Sequence, residues 1–312
     1  MSTNQAPNPD LVKYYLYITE GFIIAFLNGI IVLAIVRHKR LRDRKEYWVV
    51  GGLALADTIH SFGFITAGFY RIWRILTGDD KTLVSSWDCM LTVHNILFVF
   101  ASPLSAIMLC CCSLDRLIAM RDPLAYGGFK RSYALVLVGA FYMFAAASAV
   151  CAVYLSYLEP REKKFEAICF TTWAIGHGVY KKYFWLVQFL GGLFSVILYV
   201  VVWLVYRRKR SQIAAKSSQM AVSDHEKRNQ RRLMITLGFS TLFTAIFFVT
   251  PNLGQFIYVD ILSKDYFAYI IPYQGAIVNL NALMNIFLYT FRHRDIREGL
   301  FCLFTCQELN TL

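Results

Sequence analysis

The segment Ser113–Tyr126, with the sequence SLDRLIAMRDPLAY, follows an apolar run that begins near Leu91. Asp115 and Arg116 stand side by side where that run ends. A charged pair at the end of a membrane-length helix is costly unless it lies near the water boundary or is paired. Position alone does not distinguish an interfacial pair that merely ends a membrane helix from a functional pair, so the rest of the chain has to decide.

Long apolar runs make up most of the chain and predict its fold class. The 312 residues are 57% hydrophobic and only 17% charged, a combination that soluble domains of this size rarely reach. Seven runs are long enough to cross about 30 Å of hydrocarbon as helices, and irregular backbone cannot face lipid. They lie at about 15–36, 48–71, 90–114, 133–157, 183–206, 233–259 and 266–291. We therefore expect an all-α fold, a seven-transmembrane helix bundle with a short amphipathic C-terminal helix.

The links between the runs fall into two alternating sets whose charges differ. The set that includes the N-terminus carries ten Lys and Arg against ten acids, whereas the set that includes the C-terminus carries 22 against nine. Because the basic side of a membrane protein faces the cytoplasm, we expect a plasma-membrane protein with an extracellular N-terminus and a cytoplasmic C-terminus. The basic charge then indicates contact with anionic membrane lipids and no nucleic-acid binding.

This topology divides the chain into three parts. We expect an extracellular tail at 1–13, a transmembrane domain at 14–291 and a cytoplasmic amphipathic helix with a short tail at 292–312. No cleavable signal peptide is apparent, because the first ten residues are polar and the first apolar run is too long for one.

Four of the eight cysteines carry a prediction. Cys89 and Cys169 are the two that fall in the non-cytoplasmic links, and because that side is oxidising, a disulfide between them is the economical interpretation. Cys302 and Cys306 follow a basic amphipathic segment at the inner membrane surface. Cysteines in that position are candidates for palmitoylation.

Polar residues also lie deep inside two predicted helices. Asp57 is about ten residues into the second helix, and an intramembrane acid indicates a functional site unless it is a protonated structural hydrogen bonder. Asn28 is the one mid-membrane polar residue of the first helix, where a local hydrogen bond is the structural alternative. His60 lies on nearly the same helix face as Asp57, and we interpret it as a packing or hydrogen-bonding neighbour without a ligand role.

Taken in order and by membrane side, these residues resemble the rhodopsin-like (class A) G-protein-coupled receptors. The family's Asp-Arg-Tyr motif and the Ala, Pro and Tyr that follow it are matched by Asp115, Arg116, Ala119, Pro123 and Tyr126. Leu117 stands in place of the motif's tyrosine. Matching positions in four other helices are Asn28, Leu53, Ala54, Asp57, Pro251, Asn285 and Tyr289. The resemblance covers residues 15–303, and the DRLIA motif with its later Pro and Tyr is similar to that of nematode serpentine chemoreceptors.

The resemblance implies a receptor that binds an extracellular ligand and activates a heterotrimeric G protein, with arrestin and a receptor kinase as further expected partners. It assigns G-protein coupling to Asp115, Arg116, Pro123, Tyr126, Tyr199 and Tyr289. It implies a sodium pocket, with Asp57 as the Na⁺ ligand, within the cluster Asn28, Asp57, Ser105, Asn281 and Asn285. The physical reason is that a lone carboxylate in a low dielectric needs a cation or several donors. No other cofactor is expected.

Several positions depart from the family pattern. Val249 stands where the family has a tryptophan before the helix-six proline, and Ile286 replaces the helix-seven proline. Gly191 takes the place of the missing helix-five proline. Arg231 replaces the acid that would bind Arg116 from the start of helix six, so the family's resting-state latch cannot form in its usual way. We therefore expect Arg116 to depend on its neighbouring acid alone at rest, with appreciable ligand-independent activity.

The ligand is less well specified than the fold. Phe98 lies where the aminergic receptors of the family need an Asp, which argues against a simple biogenic amine. By helical position, aromatic and neutral polar residues should line the cavity: His94, Phe98, Ser102, Tyr183, Asn252, Phe256, Gln274 and Asn279. This mixture is typical of small-molecule pockets and suits a small chemosensory molecule or a short peptide, although any one of these residues is as compatible with packing.

Functions of other classes fit less well. We expect no enzyme, because no motif has the spacing of a metalloenzyme or of a nucleophile with its base. A multi-pass ion channel or transporter could use the polar cluster at Asp57, but a seven-helix channel of the insect-receptor type would have a cytoplasmic N-terminus, against the charge count. A retinal pigment would need a lysine in helix seven, and the segment Asn279–Asn285 carries no base.

Overall fold

The computed structural model describes residues 9–176, 178–216, 238–258, 264–292 and 294–305. Within these ranges the chain is almost entirely helical, with one two-stranded antiparallel sheet. The elements in chain order are α1 (Pro9–Arg37), α2 (Lys39–Arg42), α3 (Lys45–Thr77), β1 (Leu83–Val84), α4 (Ser86–Met90), α5 (Val93–Arg121), α6 (Pro123–Gly128), α7 (Arg131–Leu158), β2 (Phe165–Glu166), α8 (Thr171–Ala174), α9 (Gly178–Lys216), α10 (238–258), α11 (Lys264–Arg292) and α12 (Arg294–Thr305).

The predicted helix bundle is confirmed. Among the described residues, α1, α3, α5, α7, α9 and α10 are long and apolar enough to cross a membrane. The seventh predicted run corresponds to α11, a helix of 29 residues. Several helices extend beyond the predicted runs: α1 begins at Pro9, inside the predicted tail, and α3, α5 and α9 end later, at Thr77, Arg121 and Lys216. The extension of α9, RRKRSQIAAK, consists mostly of residues with good helix propensity, which prolong a helix beyond the hydrocarbon.

The main apolar core lies between α3, α5 and α7. Leu53, Leu104 and Met108 are inaccessible to solvent there. Tyr142 of α7 donates its hydroxyl to the carbonyl oxygen of Gly52, at 2.8 Å. The outward faces of the long helices carry exposed leucine, phenylalanine and valine side chains, as expected of surfaces that face lipid.

Helices α5 and α9 approach each other closely at Gly191. A Cβ added there would lie 2.9 Å from the carbonyl carbon of Ala106 and 3.0 Å from its Cβ. One turn further along α9, the Ser195 and Ser113 hydroxyls are 2.7 Å apart. Gly191 therefore permits a close helix contact of the kind that small residues give membrane helices.

The predicted disulfide joins Cys89 and Cys169. Cys169 has a left-handed backbone with φ of 52°, which is costly for a residue that carries a side chain. Its carbonyl oxygen accepts hydrogen bonds from Asn95 Nδ2 and His94 Nε2, both at 3.1 Å. The link between α7 and α9 is thus fixed to the first turn of α5, and we call this end of the bundle the outer end.

At the inner end, α12 is fastened to the segment between α1 and α3. Asp295 accepts a hydrogen bond from the Tyr47 hydroxyl at 2.9 Å and forms ion pairs with Arg40 and Arg44 at 3.1 and 2.9 Å. The side chain of Cys302 in α12 is 1% exposed. The prediction of acylation at Cys302 is therefore not supported by the structure, because the buried thiol does not face lipid.

Helix α10 changes type before its proline. Thr244–Val249 forms a π-helical turn, and Pro251 follows in an α-helical segment. Side chains bond to two carbonyl oxygens of this region: Thr250 Oγ1 donates to Ala245 at 2.9 Å, and Asn252 Nδ2 donates to Phe248 at 2.8 Å. A π-turn and a proline both interrupt the regular backbone hydrogen bonds of an α-helix, so this part of α10 is suited to bending.

The close contact at Gly191 yields a stability prediction. Gly191→Val should lower the free energy of unfolding by about 1–3 kcal/mol, because the added methyl groups force α5 and α9 apart. The thermal midpoint of the protein purified in detergent would measure the effect. Gly139→Val is the matched control, since a Cβ there meets nothing within 4 Å. Equal losses in the two variants would contradict the close-contact role of Gly191.

Candidate functional site

Three polar regions lie along the bundle axis: an inner site at the end of α5, a buried cluster in the middle and a cavity at the outer end. Most of the residues singled out from the sequence fall in one of the three. Several others that line the outer cavity were not anticipated.

The inner site is organised by a buried carboxylate. Asp115 is 1% exposed, and the Tyr126 hydroxyl donates to its two oxygens at 3.0 and 3.1 Å. Pro123 begins α6, and Asp122 caps that helix by accepting from the Ala125 amide at 3.0 Å. Burial and the nearby carboxylate raise the pKa of Tyr126, so the phenol keeps its proton and can donate.

Arg116 has more neighbours than the sequence suggested. Its guanidinium lies within electrostatic reach of Asp115, Tyr199 and Tyr126, but in the described part of the chain no Arg116 nitrogen pairs with an acid within 4.0 Å. The expectation that Arg116 depends on Asp115 alone stays a prediction, because Asp115 is the charged group near Arg116 and the nearby Tyr126 is a neutral phenol.

Four inner positions named from the sequence have different outcomes. Tyr199 is 8% exposed and packs beside Leu117 of α5. The side chain of Tyr289 lies outside the described residues, although its backbone belongs to α11. Arg231 and Cys306 lie outside the described residues altogether.

Two lysines hold the inner site in place and were not anticipated. Lys209 of α9 donates to the carbonyl oxygen of Met120 at 2.8 Å, at the C-terminal end of α5. Lys45 of α3 donates to the carbonyl oxygen of Tyr126 and, at 3.0 Å, to that of Phe129. Its ammonium also lies 4.1 Å from the centroid of the Tyr126 ring. In the sequence these lysines are indistinguishable from other basic residues of the inner links.

The predicted polar cluster is buried throughout: Asn28, Asp57, Ser105, Asn281 and Asn285 are each at most 5% exposed. The Ser105 hydroxyl lies near the Asp57 carboxyl, but it has no hydrogen-bond partner of normal geometry among the described residues. Asn28 donates to the Ile24 carbonyl oxygen at 3.2 Å, and Asn281 accepts from Thr244 at 3.2 Å. The Asn285 amide nitrogen has no hydrogen-bond partner among the described residues.

The donor set fits a small hard cation in one respect. Carboxylate, hydroxyl and amide oxygens are the ligands that such ions prefer, and the buried Ser105 hydroxyl near Asp57 has no hydrogen-bond partner in the described part of the chain. No group of three His, Cys, Asp or Glu side chains in the described ranges could hold a metal ion. A cation here would therefore depend on Asp57 and neutral oxygens.

The outer cavity opens to solvent and has a volume of about 90 Å³. Its wall combines helices α1, α3, α5, α9, α10 and α11 with the segment that follows the disulfide. The lining residues are Tyr17, His60, Phe64, Arg71, Phe98, Ser102, Phe170, Thr171, Thr172, Phe184, Trp185, Gln188, Asn252, Gln255, Gln274, Gly275 and Val278. The described lining contains one cation, Arg71, and neither Asp nor Glu.

Four of the eight predicted ligand residues line this cavity, namely Phe98, Ser102, Asn252 and Gln274. The other four have structural partners elsewhere. His94 contacts the Cys169 carbonyl oxygen, and Tyr183 packs on Tyr180 with ring centroids 5.2 Å apart. Phe256 stacks on Phe189, and Asn279 donates to Glu20 at 3.4 Å. Their helical position was informative, but neighbouring side chains turn them away from the cavity.

His60 packs and hydrogen-bonds, as interpreted from the sequence, and it also lines the cavity. Its Nε2 is 3.1 Å from the Ser102 hydroxyl, and its ring meets Phe64 and Phe98 edge-on at 5.1 and 5.6 Å. The sequence signal was present, since His60 lies near Asp57 on an inward face.

Comparisons with known proteins identify relatives of this arrangement. The chain is 24% identical over 202 residues to the D(2)-like dopamine receptor of Takifugu rubripes, covering 64% of this chain and 40% of that protein. It is 30% identical over 118 residues to Octopamine receptor beta-3R of Drosophila melanogaster, covering 36% and 9%. It is 25% identical over 308 residues to human Trace amine-associated receptor 5, covering 92% and 83%.

The alignments with the dopamine and octopamine relatives thus span well under two thirds of those proteins. The family model described as "7 transmembrane receptor (rhodopsin family)" matches residues 27–289, from α1 into α11. Because this match covers most of the chain, the chain belongs to the rhodopsin family of seven-transmembrane receptors.

Proposed function

We propose that this chain is a plasma-membrane receptor that binds an extracellular ligand in the outer cavity and activates a heterotrimeric G protein at the inner end. The observation that carries the proposal is the inner site, where Arg116 adjoins a buried carboxylate that is held by Tyr126. An ordinary interfacial pair would need no such arrangement, because its charges would be hydrated.

The orientation in this proposal rests on charge and redox chemistry. The links at the inner end are basic, and the disulfide between Cys89 and Cys169 lies at the opposite end. A cytoplasmic inner end agrees with both the positive-inside rule and the preference of disulfides for oxidising compartments. Arrestin, a receptor kinase and anionic lipids are further proposed partners of the cytoplasmic face.

Activation is proposed to be a two-state equilibrium that the ligand biases by its differential affinity. In the active state Arg116 meets the G protein, with Tyr199 and Tyr289 as candidate partners. The inner half of α10 would move outward, bending at its π-turn and Pro251. Tyr126 and Lys45 would have to release or reorient for this movement, since both fasten α6 to the bundle.

The cavity supports a small molecule better than a peptide as the ligand. Its volume of about 90 Å³ is below that of drug-sized sites and leaves little room for a peptide chain. The names of the relatives refer to dopamine, octopamine and trace amines, but an amine needs a carboxylate and the described lining has none. A chemosensory role stays a prediction from the sequence.

A sodium ion at Asp57 is a second element of the proposal. Its support is the buried carboxylate of Asp57 and the nearby Ser105 hydroxyl, whose oxygen has no hydrogen-bond partner among the described residues. Bound Na⁺ would offset the charge of Asp57 and stabilise the resting arrangement of the helices. The five residues of the polar cluster fit a sodium site better than an ion-conducting pathway, because every one of them is buried.

The coupling role of Arg116 can be tested without a known ligand. Membranes that contain the receptor and purified G-protein heterotrimers should exchange guanine nucleotide faster than empty membranes. Arg116→Ala should reduce this basal exchange at least tenfold, to the empty-membrane rate, with normal surface expression, since the charge that contacts the G protein is lost. Arg121→Ala, at an exposed site on the same helix end, is the control. Unchanged exchange by Arg116→Ala would refute the coupling role.

The sodium proposal predicts a salt-specific stabilisation. Replacing choline by about 100 mM Na⁺ should raise the thermal midpoint of the purified receptor by about 2 °C, as binding to the folded state alone requires. Asp57→Asn should abolish the difference. Thr58→Val, whose wild-type hydroxyl bonds only to the Ala54 carbonyl oxygen, should retain it. A full sodium effect in Asp57→Asn would exclude this site.

A further inference from the structure

Arg71 is a buried cation at the edge of the outer cavity. Its side chain is 2% exposed, and Nε donates to the carbonyl oxygen of Ile168 at 3.1 Å. The guanidinium carbon lies 4.6 Å from the centroid of Phe170, 5.5 Å from that of Tyr14 and 5.7 Å from that of Tyr17. Three aromatic faces thus surround the charge and fix its position.

No acid of the described residues pairs with this cation within 4.0 Å. Aromatic faces attract a cation, but a buried charge is ordinarily paired with an opposite charge because its hydration has been lost. The terminal nitrogens of Arg71 are a planar pair of donors that match a carboxylate. The cavity beside Arg71 is therefore the place where the missing anion would lie.

Three further polar atoms of the cavity wall are buried and have no hydrogen-bond partner within the described ranges: Trp185 Nε1, Thr172 Oγ1 and Gln255 Oε1. Buried polar groups without partners are rare in native proteins and need an explanation. The indole N–H of Trp185 requires an acceptor, the amide oxygen of Gln255 requires a donor, and the hydroxyl of Thr172 can serve either. Together with Arg71, they describe the polar complement of an absent ligand.

We propose that the outer cavity binds a small organic acid whose carboxylate pairs with Arg71. The apolar body of this acid lies among Phe64, Phe98 and Phe184, and a donor group on it meets Gln255. The proposal names the ligand class of the receptor proposed above and rests on that function for its signalling consequence. Binding of the acid does not itself require a G protein.

The same wall disfavours an amine. Phe98 stands on α5 where an amine receptor would need its acid, and the described lining has neither Asp nor Glu. An ammonium group in the cavity would be repelled by Arg71 in a region of low dielectric. The cavity therefore selects ligands by the sign of their charge as well as by their shape.

The test uses three compounds that share a phenylpropyl body and differ in charge: 3-phenylpropionate, 3-phenylpropanamide and 3-phenylpropylamine. Each is titrated against the purified receptor while its thermal midpoint is recorded, because a ligand that binds only the folded state raises the midpoint. We expect the acid to stabilise the receptor at low millimolar concentration, with an apparent affinity at least tenfold above that of the amide or the amine. No stabilisation by the acid, or stronger stabilisation by the amine, overturns the proposal.

Substitutions assign the effect to Arg71. Arg71→Gln should remove the preference for the acid over the amide, and Arg71→Lys should keep part of it, because the charge remains but the planar pair of donors is lost. Arg74→Gln, one turn along α3 and bonded to Tyr70, is the control and should keep the full preference. Trp185→Phe retains the apolar ring shape without the N–H and should weaken acid binding about fivefold or more. A preference unchanged in Arg71→Gln overturns the proposal.

The readouts separate this inference from the proposed function. Stabilisation measures binding, whereas guanine-nucleotide exchange measures coupling. Acid-selective stabilisation that depends on Arg71, without any nucleotide exchange, supports the ligand class and refutes the receptor function. Basal exchange that depends on Arg116, with no acid-selective stabilisation, supports the receptor function and refutes the ligand class.

Discussion

A chain buried in hydrocarbon must satisfy its charges within the protein, and this constraint explains the placement of every important polar residue described above. Asp115 meets the constraint through the Tyr126 hydroxyl, which donates to its carboxylate, whereas the Ser105 hydroxyl near Asp57 makes no hydrogen bond within the described ranges. Arg71 meets it through aromatic rings and one carbonyl oxygen, without an anion in the described residues. Where the protein leaves a charge short of partners, a ligand, an ion or a partner protein can supply the remainder.

Helix α5 connects the regions where those charges lie. Its outer turns carry Phe98 and fix the backbone of Cys169, and its inner end carries Asp115. Between them it is pressed against α9 at Gly191. Packed cores have discrete arrangements and are not continuously deformable. A ligand that repositions α5 at the cavity can therefore change the packing against α9 and the surroundings of the inner site, which is the physical content of coupling between the two ends.

The sequence was informative wherever one residue, or a regular spacing, carries the signal. Apolar runs predicted the seven helices, and the locations of Cys89 and Cys169 predicted their disulfide. Contacts between distant segments were harder to predict from the sequence. Tyr126 was recognised as part of a motif, but its bond to the carboxylate eleven residues before it requires the turn into α6. Arg71 was counted only as one more charge of an outer link, because neither the aromatic rings around it nor the lack of a paired acid is visible before folding.

Family membership and ligand chemistry therefore rest on different residues. Likeness to the trace amine-associated receptor extends over most of the chain, and likeness to the dopamine and octopamine receptors over parts of it. A shared bundle supports many ligands because recognition depends on a few side chains in one cavity. In this cavity Phe98 supplies no negative charge and Arg71 supplies a positive one. Reversing the sign of the charge in a low-dielectric site changes the preferred ligand from a cation to an anion without any change of fold. The sequence similarity and the proposed acid ligand are thus compatible, since the first depends on packing between helices and the second on the charge at the cavity wall.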